Sequence, residues 1–350
     1  MWLGALTFTT LIAVVPWWLN FAMGPRWVLL SAALPIAVVV AQPKLEPNWW
    51  PLWTLAWAIG SIAWAPHPMN AAWGAWQLVL LCAAFAVGTT LRNPNGLAWG
   101  LCAGVAVNSG VMLAELSGLQ LVPTVAPPSG LLANRGVLGG IAAVALVLAW
   151  AQLRSWPLAL LCAPSILFTS SRAAWIGLAS TATLWAVRRY GAWASAGACW
   201  VAMLIGYVLL KGPAFWYDLA IGHRLAVWLD LLPGFTLLGV GAGQFESEFP
   251  LLNQRLDTSL GRMEFAHNDT IQFVYELGLG AIPLVGTLWW AAFRPHPAGY
   301  ALLCLMVVAL FDFPLHLPHG ILVAGVLAGG LCGAWARGRD YPRDCGGLTP

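Results

Sequence analysis

Gly136-Val-Leu-Gly-Gly-Ile-Ala-Ala-Val-Ala-Leu-Val-Leu-Ala-Trp-Ala-Gln-Leu153 runs for 18 residues without a charged side chain. Taken as a helix rising ~1.5 Å per residue, it nearly matches the ~30 Å hydrocarbon core of a bilayer. A helix satisfies its own backbone there, where lipid offers no hydrogen-bond partners. Comparable runs recur from end to end. About twelve spans are predicted, at 5–23, 26–42, 49–65, 71–91, 96–116, 136–153, 155–170, 172–187, 191–210, 269–292, 298–315 and 319–336. The spans at 155–170 and 172–187 are crowded, which allows one of them to be re-entrant or broken. The expected fold class is an all-α polytopic integral membrane protein with about 12 transmembrane helices. It forms a single transmembrane domain over 1–336 and a tail over 337–350.

Composition supports the same class. The chain is 60% hydrophobic and 8% charged, with a mean hydropathy of +0.76. A soluble domain carries about 25% charged residues, so that class is excluded. The net charge of +3 is small. The basic residues form no stripe, so nucleic acid is not an expected partner. Six of the seven cysteines lie in apolar runs and none forms a C-x-x-C pair, so they read as small buried hydrophobes. The first apolar stretch lacks a basic leader and is read as the first span rather than a cleaved signal. Gly96, Gly100 and Gly104, and likewise Gly325 and Gly329, repeat at the spacing that brings helices into close contact.

With twelve spans both termini share a side. That side receives Lys44, Arg92, Arg154, Arg188, Arg189, Arg294, Arg337, Arg339 and Arg343, which makes it cytoplasmic. The opposite side receives Arg26, Lys211 and Arg255, together with Arg135, Arg172, Arg224, Arg262 and His267. Cations at a membrane surface on the disfavoured side point to function, and arginines suit phosphate or pyrophosphate. The longest polar segment, 212–267, lies on this outer side. It opens with a predicted amphipathic helix from Pro213 to Leu232 and continues through the turn Gly239-Val-Gly-Ala-Gly243. That turn lacks the spacing of a nucleotide-binding loop and is read as a sharp bend, with backbone N–H groups available to an anion.

Each candidate residue admits two readings. His267, at the junction of loop and span, either takes a proton from a hydroxyl or snorkels beside a capped helix end. Asp269 is a candidate helix cap, and Gln272 and Glu276 share a face at i, i+4. Arg224 is an anion ligand or a lipid-headgroup anchor, and Arg135 and Arg172, taken singly, are interface anchors. Asp312, inside an apolar run, requires a partner such as one of the arginines. His316 and His319 lack a third ligand, and no D-x-D pair occurs, so no metal site is expected. A transporter would show polar, broken helices in both halves. Here the polar residues crowd one face and the second half, which favours a one-sided enzyme.

The order N-R-G at 134–136, S-R-A-A-W at 171–175, R-L-A-V-W at 224–228 with L-L-G-V-G-A-G-Q-F at 237–245, and H-N-D-T-I-Q-F-V-Y-E-L-G-L-G at 267–280 resembles the O-antigen ligase superfamily. That group includes O-antigen polymerases and protein O-oligosaccharyltransferases. The resemblance is strongest over about 130–320. It implies a GT-C-type glycosyltransferase-like arrangement in a bacterial inner membrane, with the site facing the periplasm. It further implies transfer of a glycan from undecaprenyl pyrophosphate to an acceptor hydroxyl, such as lipid A–core, without metal, nucleotide or cofactor. On that resemblance His267, Arg224 and Arg172 are catalytic. In the physical reading beside it, Arg135 and Arg262 support those arginines, Asn134 positions sugar or phosphate, Asp312 partners an arginine, and Glu276 either orients His267 or seals a helix end.

Overall fold

Proline and polar caps set the helix starts. Asn134 caps the helix of the opening run, its side chain accepting from Val137 N–H at 3.1 Å, and Asn268 and Ser171 cap two others in the same way. Pro68, Pro297 and Pro318 each occupy a first helical position, where no N–H is needed. A computed structural model describes residues 1–15, 22–43, 50–122, 127–191, 197, 200, 221–253 and 263–338. Among them no strand occurs. The helices are α1 (Trp2–Ile12), α2 (Met23–Ala41), α3 (Trp50–Gly60), α4 (Pro68–Thr90), α5 (Asn95–Leu116), α6 (Arg135–Ala151), α7 (Trp156–Thr169), α8 (Arg172–Tyr190), α9 (Ile221–Leu231), α10 (Phe245–Leu252), α11 (Asp269–Leu277), α12 (Ala281–Ala292), α13 (Pro297–Val308) and α14 (Pro318–Ala336).

Five segments are long and apolar enough to cross a membrane: Met23–Ala41, Pro68–Thr90, Asn95–Leu116, Asp269–Ala292 and Pro318–Ala336. The chain is a multi-pass helical membrane protein on that ground. Shorter apolar helices occupy the spans expected at 5–23, 49–65, 136–153, 155–170 and 298–315. The span expected at 191–210 lies almost wholly outside the described residues. The crowded pair resolves into two separate helices, α7 and α8, meeting where Ser170 turns left-handed at φ +54°.

Small residues decide the packing. α14 is buried along most of its length and lies against α4. A Cβ on Gly329 would stand 2.0 Å from Phe85 O, and one on Gly333 2.5 Å from Thr89 O, so these backbones touch. The same close approach joins α1 to α5, where a Cβ on Gly100 would meet Gly4 O at 2.2 Å. α6 packs between α5, α7, α8 and α13 in one continuous apolar core. A second, smaller cluster of Val227, Leu231, Phe245, Phe249, Ala266 and Tyr275 seats α9 and α10 on α11.

Two expected spans are interrupted, each for a visible reason. The 269–292 run stops at Leu277 because Gly278 turns at φ +55°, and a 3-10 turn, Gly278–Gly280, leads into α12. Leu237 O accepts from Leu279 N–H at 2.9 Å, and a Cβ on Gly278 would lie 2.2 Å from that oxygen. The Gly-rich turn is thus pressed into the break. The 298–315 run ends as a helix at Val308: Ala309 O is taken by Asp269 N–H, the Phe313 N–H turns to Asp312 Oδ1, and Pro314 supplies no N–H.

Candidate functional site

The starts of α6 and α8 come together before any arginine is considered. Ser171 Oγ donates to Gly136 O at 3.4 Å, and Gly139 is packed against Ser171 and Thr169. Asp312, from the broken stretch after α13, lies over the same point. A Cβ on Gly136 would stand 2.8 Å from its Oδ2. The start of α11 joins them through His267, whose Nδ1 is 3.8 Å from Asp312 Oδ1. That is ion-pair range but too long for a hydrogen bond. The His267 ring stands edge-on to Phe313, with centroids 5.2 Å apart. The backbone of His267 is left-handed at φ +53°, a conformation that a side chain rarely adopts away from special sites.

Arg224 on α9 and Arg172 at the first position of α8 complete the cluster. Arg224 is half-buried and within electrostatic reach of both Asp312 and Arg172. Burial lowers the proton affinity of its guanidinium most; the Asp312 carboxylate opposes that, and Arg172 adds to the lowering. An arginine so placed stays protonated. Arg224 thus lies within reach of one carboxylate and a second guanidinium, and three helix starts add their positive ends. His267 is 32% exposed while Asp312 is 8% exposed, so the imidazole is the more accessible of the two.

The structure thus brings together His267, Arg224, Arg172 and Asp312 from segments far apart in sequence. Asp312 meets the expectation of a partnered carboxylate. Arg135 is exposed at the start of α6, on the rim. Asn134 is also exposed, and its Oδ1 is occupied in capping α6. Arg262 lies outside the described residues.

Glu276 sits elsewhere than a role beside His267 requires. It is buried, and its carboxylate accepts from Gly243 N–H at 2.8 Å, Phe245 N–H at 3.3 Å and Gln272 Nε2 at 3.1 Å. The anion held by the Gly-rich turn is therefore this internal carboxylate, which seals the start of α10. Replacing Glu276 with alanine should destabilise the protein by about 3 kcal/mol, because buried donors are left unpaired. Thermal unfolding of the detergent-solubilised chain reads this directly, and a shift within error would sink the assignment.

Asp269 does not cap α11 either; Asn268 does, accepting from Ile271 N–H at 3.0 Å. Asp269 is instead fully buried and holds the turn after α13. It accepts from Leu315 N–H at 2.7 Å and lies 2.5 Å from His316 Nδ1. His316 stacks on Phe273. This pair was invisible to motif reading, which coupled His316 to His319. Arg26, counted as an outer-loop residue, is also buried. Its Nη2 donates to Leu11 O at 3.2 Å and Leu131 O at 2.8 Å, tying the end of α1 to the approach to α6.

No protein-family model matches this chain, and no curated protein sequence matches it. The functional reading therefore rests on the residues and their arrangement.

Proposed function

We propose that the chain transfers a glycan from undecaprenyl pyrophosphate to an acceptor hydroxyl, as an O-antigen ligase acting on lipid A–core. The observation that carries this reading is the cluster of Arg172, Arg224 and His267 around Asp312. When the sugar–phosphate bond breaks, negative charge grows on the pyrophosphate that leaves. Fixed guanidinia stabilise that charge without reorganising. Arg224 and Arg172 take that part, and Arg135, exposed at the start of α6, adds to the positive field. His267 accepts the proton of the acceptor hydroxyl as the new glycosidic bond forms. Asp312 lies beside the imidazole, its Oδ1 3.8 Å from His267 Nδ1, and is placed to orient the ring. No metal is required in this scheme, because arginines carry the charge.

The remaining expectations belong with this reading: about twelve spans in a GT-C-like arrangement, an inner-membrane location and a site opening to the periplasm. The crowding of polar residues at one side and in the second half of the chain supports a one-sided enzyme over a transporter, which would need polar breaks in both halves.

Expression in a ligase-null Gram-negative strain, with lipopolysaccharide resolved on a gel, tests the proposal. Restoration of high-mass capped lipopolysaccharide supports it. Normal insertion without restoration would count against lipid A–core as acceptor. Restoration in a polymerase-null strain instead would assign a second lipid-linked repeat as acceptor.

A further inference from the structure

A crevice of about 450 Å³ opens between α12, α14, α3 and α4. Its walls include Phe85, Ile282, Gly286, Trp290 and Trp335, and Arg294 stands at one end. The volume is that of a small-molecule site. It is remote from the cluster around Asp312. Trp335 lies 17 residues beyond Pro318 on α14, about 25 Å along the axis at 1.5 Å per residue.

Its chemistry is divided. The walls are apolar, as an acyl chain requires. The end is cationic: the Arg294 guanidinium lies 3.7 Å over the Trp290 ring, while its Nε is buried without a hydrogen-bond partner. Trp335 meets Trp290 edge-on at 5.8 Å and completes an aromatic collar. Arg188 donates to Phe293 O, and Arg337 to the carbonyls of Thr89 and Leu91. None of these three arginines forms an ion pair with an acidic side chain among the described residues. By the Lys and Arg count they lie on the cytoplasmic side, where anionic headgroups attract them.

Gly286 keeps the crevice open. A Cβ there would meet nothing within 4 Å, in contrast to Gly329 and Gly100, where backbones touch. Its glycine is not needed for packing against the rest of the protein.

We propose that this crevice binds one anionic glycerophospholipid of the inner leaflet. An acyl chain lies between α12 and α14, and the phosphate meets Arg294, with Arg337 adding to the field at the same end. A headgroup of net negative charge complements the unpaired guanidinia, whereas a zwitterionic one brings its own cation to the same place. The site is independent of the glycan-transfer reading, so either stands if the other fails.

Native mass spectrometry of the full chain, delipidated in detergent, tests this with phosphatidylglycerol and phosphatidylcholine of identical acyl chains. A single phosphatidylglycerol adduct should form at about five-fold lower lipid concentration than the phosphatidylcholine adduct. Arg294→Gln should remove that preference. Gly286→Leu, which meets open space in the fold, should weaken both lipids by filling the crevice. Photo-crosslinking from the acyl chain of phosphatidylglycerol should label peptides within 282–294 and 331–337. Equal binding of the two lipids, or labels spread evenly over the other helices, would show ordinary annular lipid and overturn the proposal. So would a stable dimer that both substitutions dissociate.

Discussion

Arg224→Ala should lower glycan transfer by about two to three orders of magnitude, the effect of deleting one preorganised donor to a developing charge. The comparison is between variants reconstituted at equal protein level with excess lipid-linked donor, read as initial rate. Arg224→Lys should recover only part of the loss, because an ammonium keeps the charge but not the planar fork that grips phosphate oxygens. Arg172→Ala should resemble Arg224→Ala. The double variant should be less impaired than the product of the two, since both guanidinia act on one leaving group. Arg135→Ala provides the contrast: this arginine is exposed on the rim, and its loss should change the rate by about two-fold. A rate for Arg224→Ala close to the unsubstituted rate would remove the cluster from the chemistry, whatever the fate of the ligase reading.

The second large effect is on stability. Asp269 and His316 form a buried pair 2.5 Å apart, and Asp269 also takes the Leu315 N–H. Removing one member strands the other. Asp269→Leu alone, or His316→Leu alone, should destabilise the protein by about 3–5 kcal/mol, while the double leucine variant should recover most of that loss. Unfolding temperatures of the four proteins in one detergent form the cycle. Additive losses would show that the two side chains act separately. The single variants should also lose transfer activity. Their pair fastens the turn carrying Asp312 to the start of α11, and His267 lies two residues before Asp269 in that chain.

The long helices were legible because length and apolarity are local properties. α2, α4, α5 and α14 begin and end within a few residues of the runs that announce them. The glycine spacing at 96, 100 and 104 and at 325 and 329 foretold close helix contact, which Gly100 against Gly4 and Gly329 against Phe85 display. The break after Leu277 was not legible, since its cause is a tertiary contact with Leu237 some forty residues upstream. The amphipathic reading placed Trp228 on the outer helix, and its indole donates to Ala266 O at 2.9 Å, a partner that no periodicity names. The expected helix start at Pro213 lies outside the described residues. In the site, His267, Arg224, Arg172 and Asp312 were recognisable as costly polar groups in apolar surroundings. Their meeting depends on where α6, α8, α9 and α11 end in space. For Glu276 the sequence left two roles open, orienting His267 or sealing a helix end; its hydrogen bonds to Gly243, Phe245 and Gln272 select the second.

Those hydrogen bonds have a consequence for the length of the segment they hold. The stretch from α10 to α11 is anchored at both ends: the Phe245 N–H is held by Glu276, and the Ala266 N–H donates to Gln272 Oε1 at 3.0 Å. Glu276 and Gln272 are one helical turn apart and touch each other. Both ends are thus riveted to the same turn of α11. Residues added between Asn253 and Met263 lengthen a closed loop, at about 0.6 kcal/mol for each doubling. With both ends fixed to one turn of α11, a change in the length of this segment should leave the register of the helices beneath it unaltered.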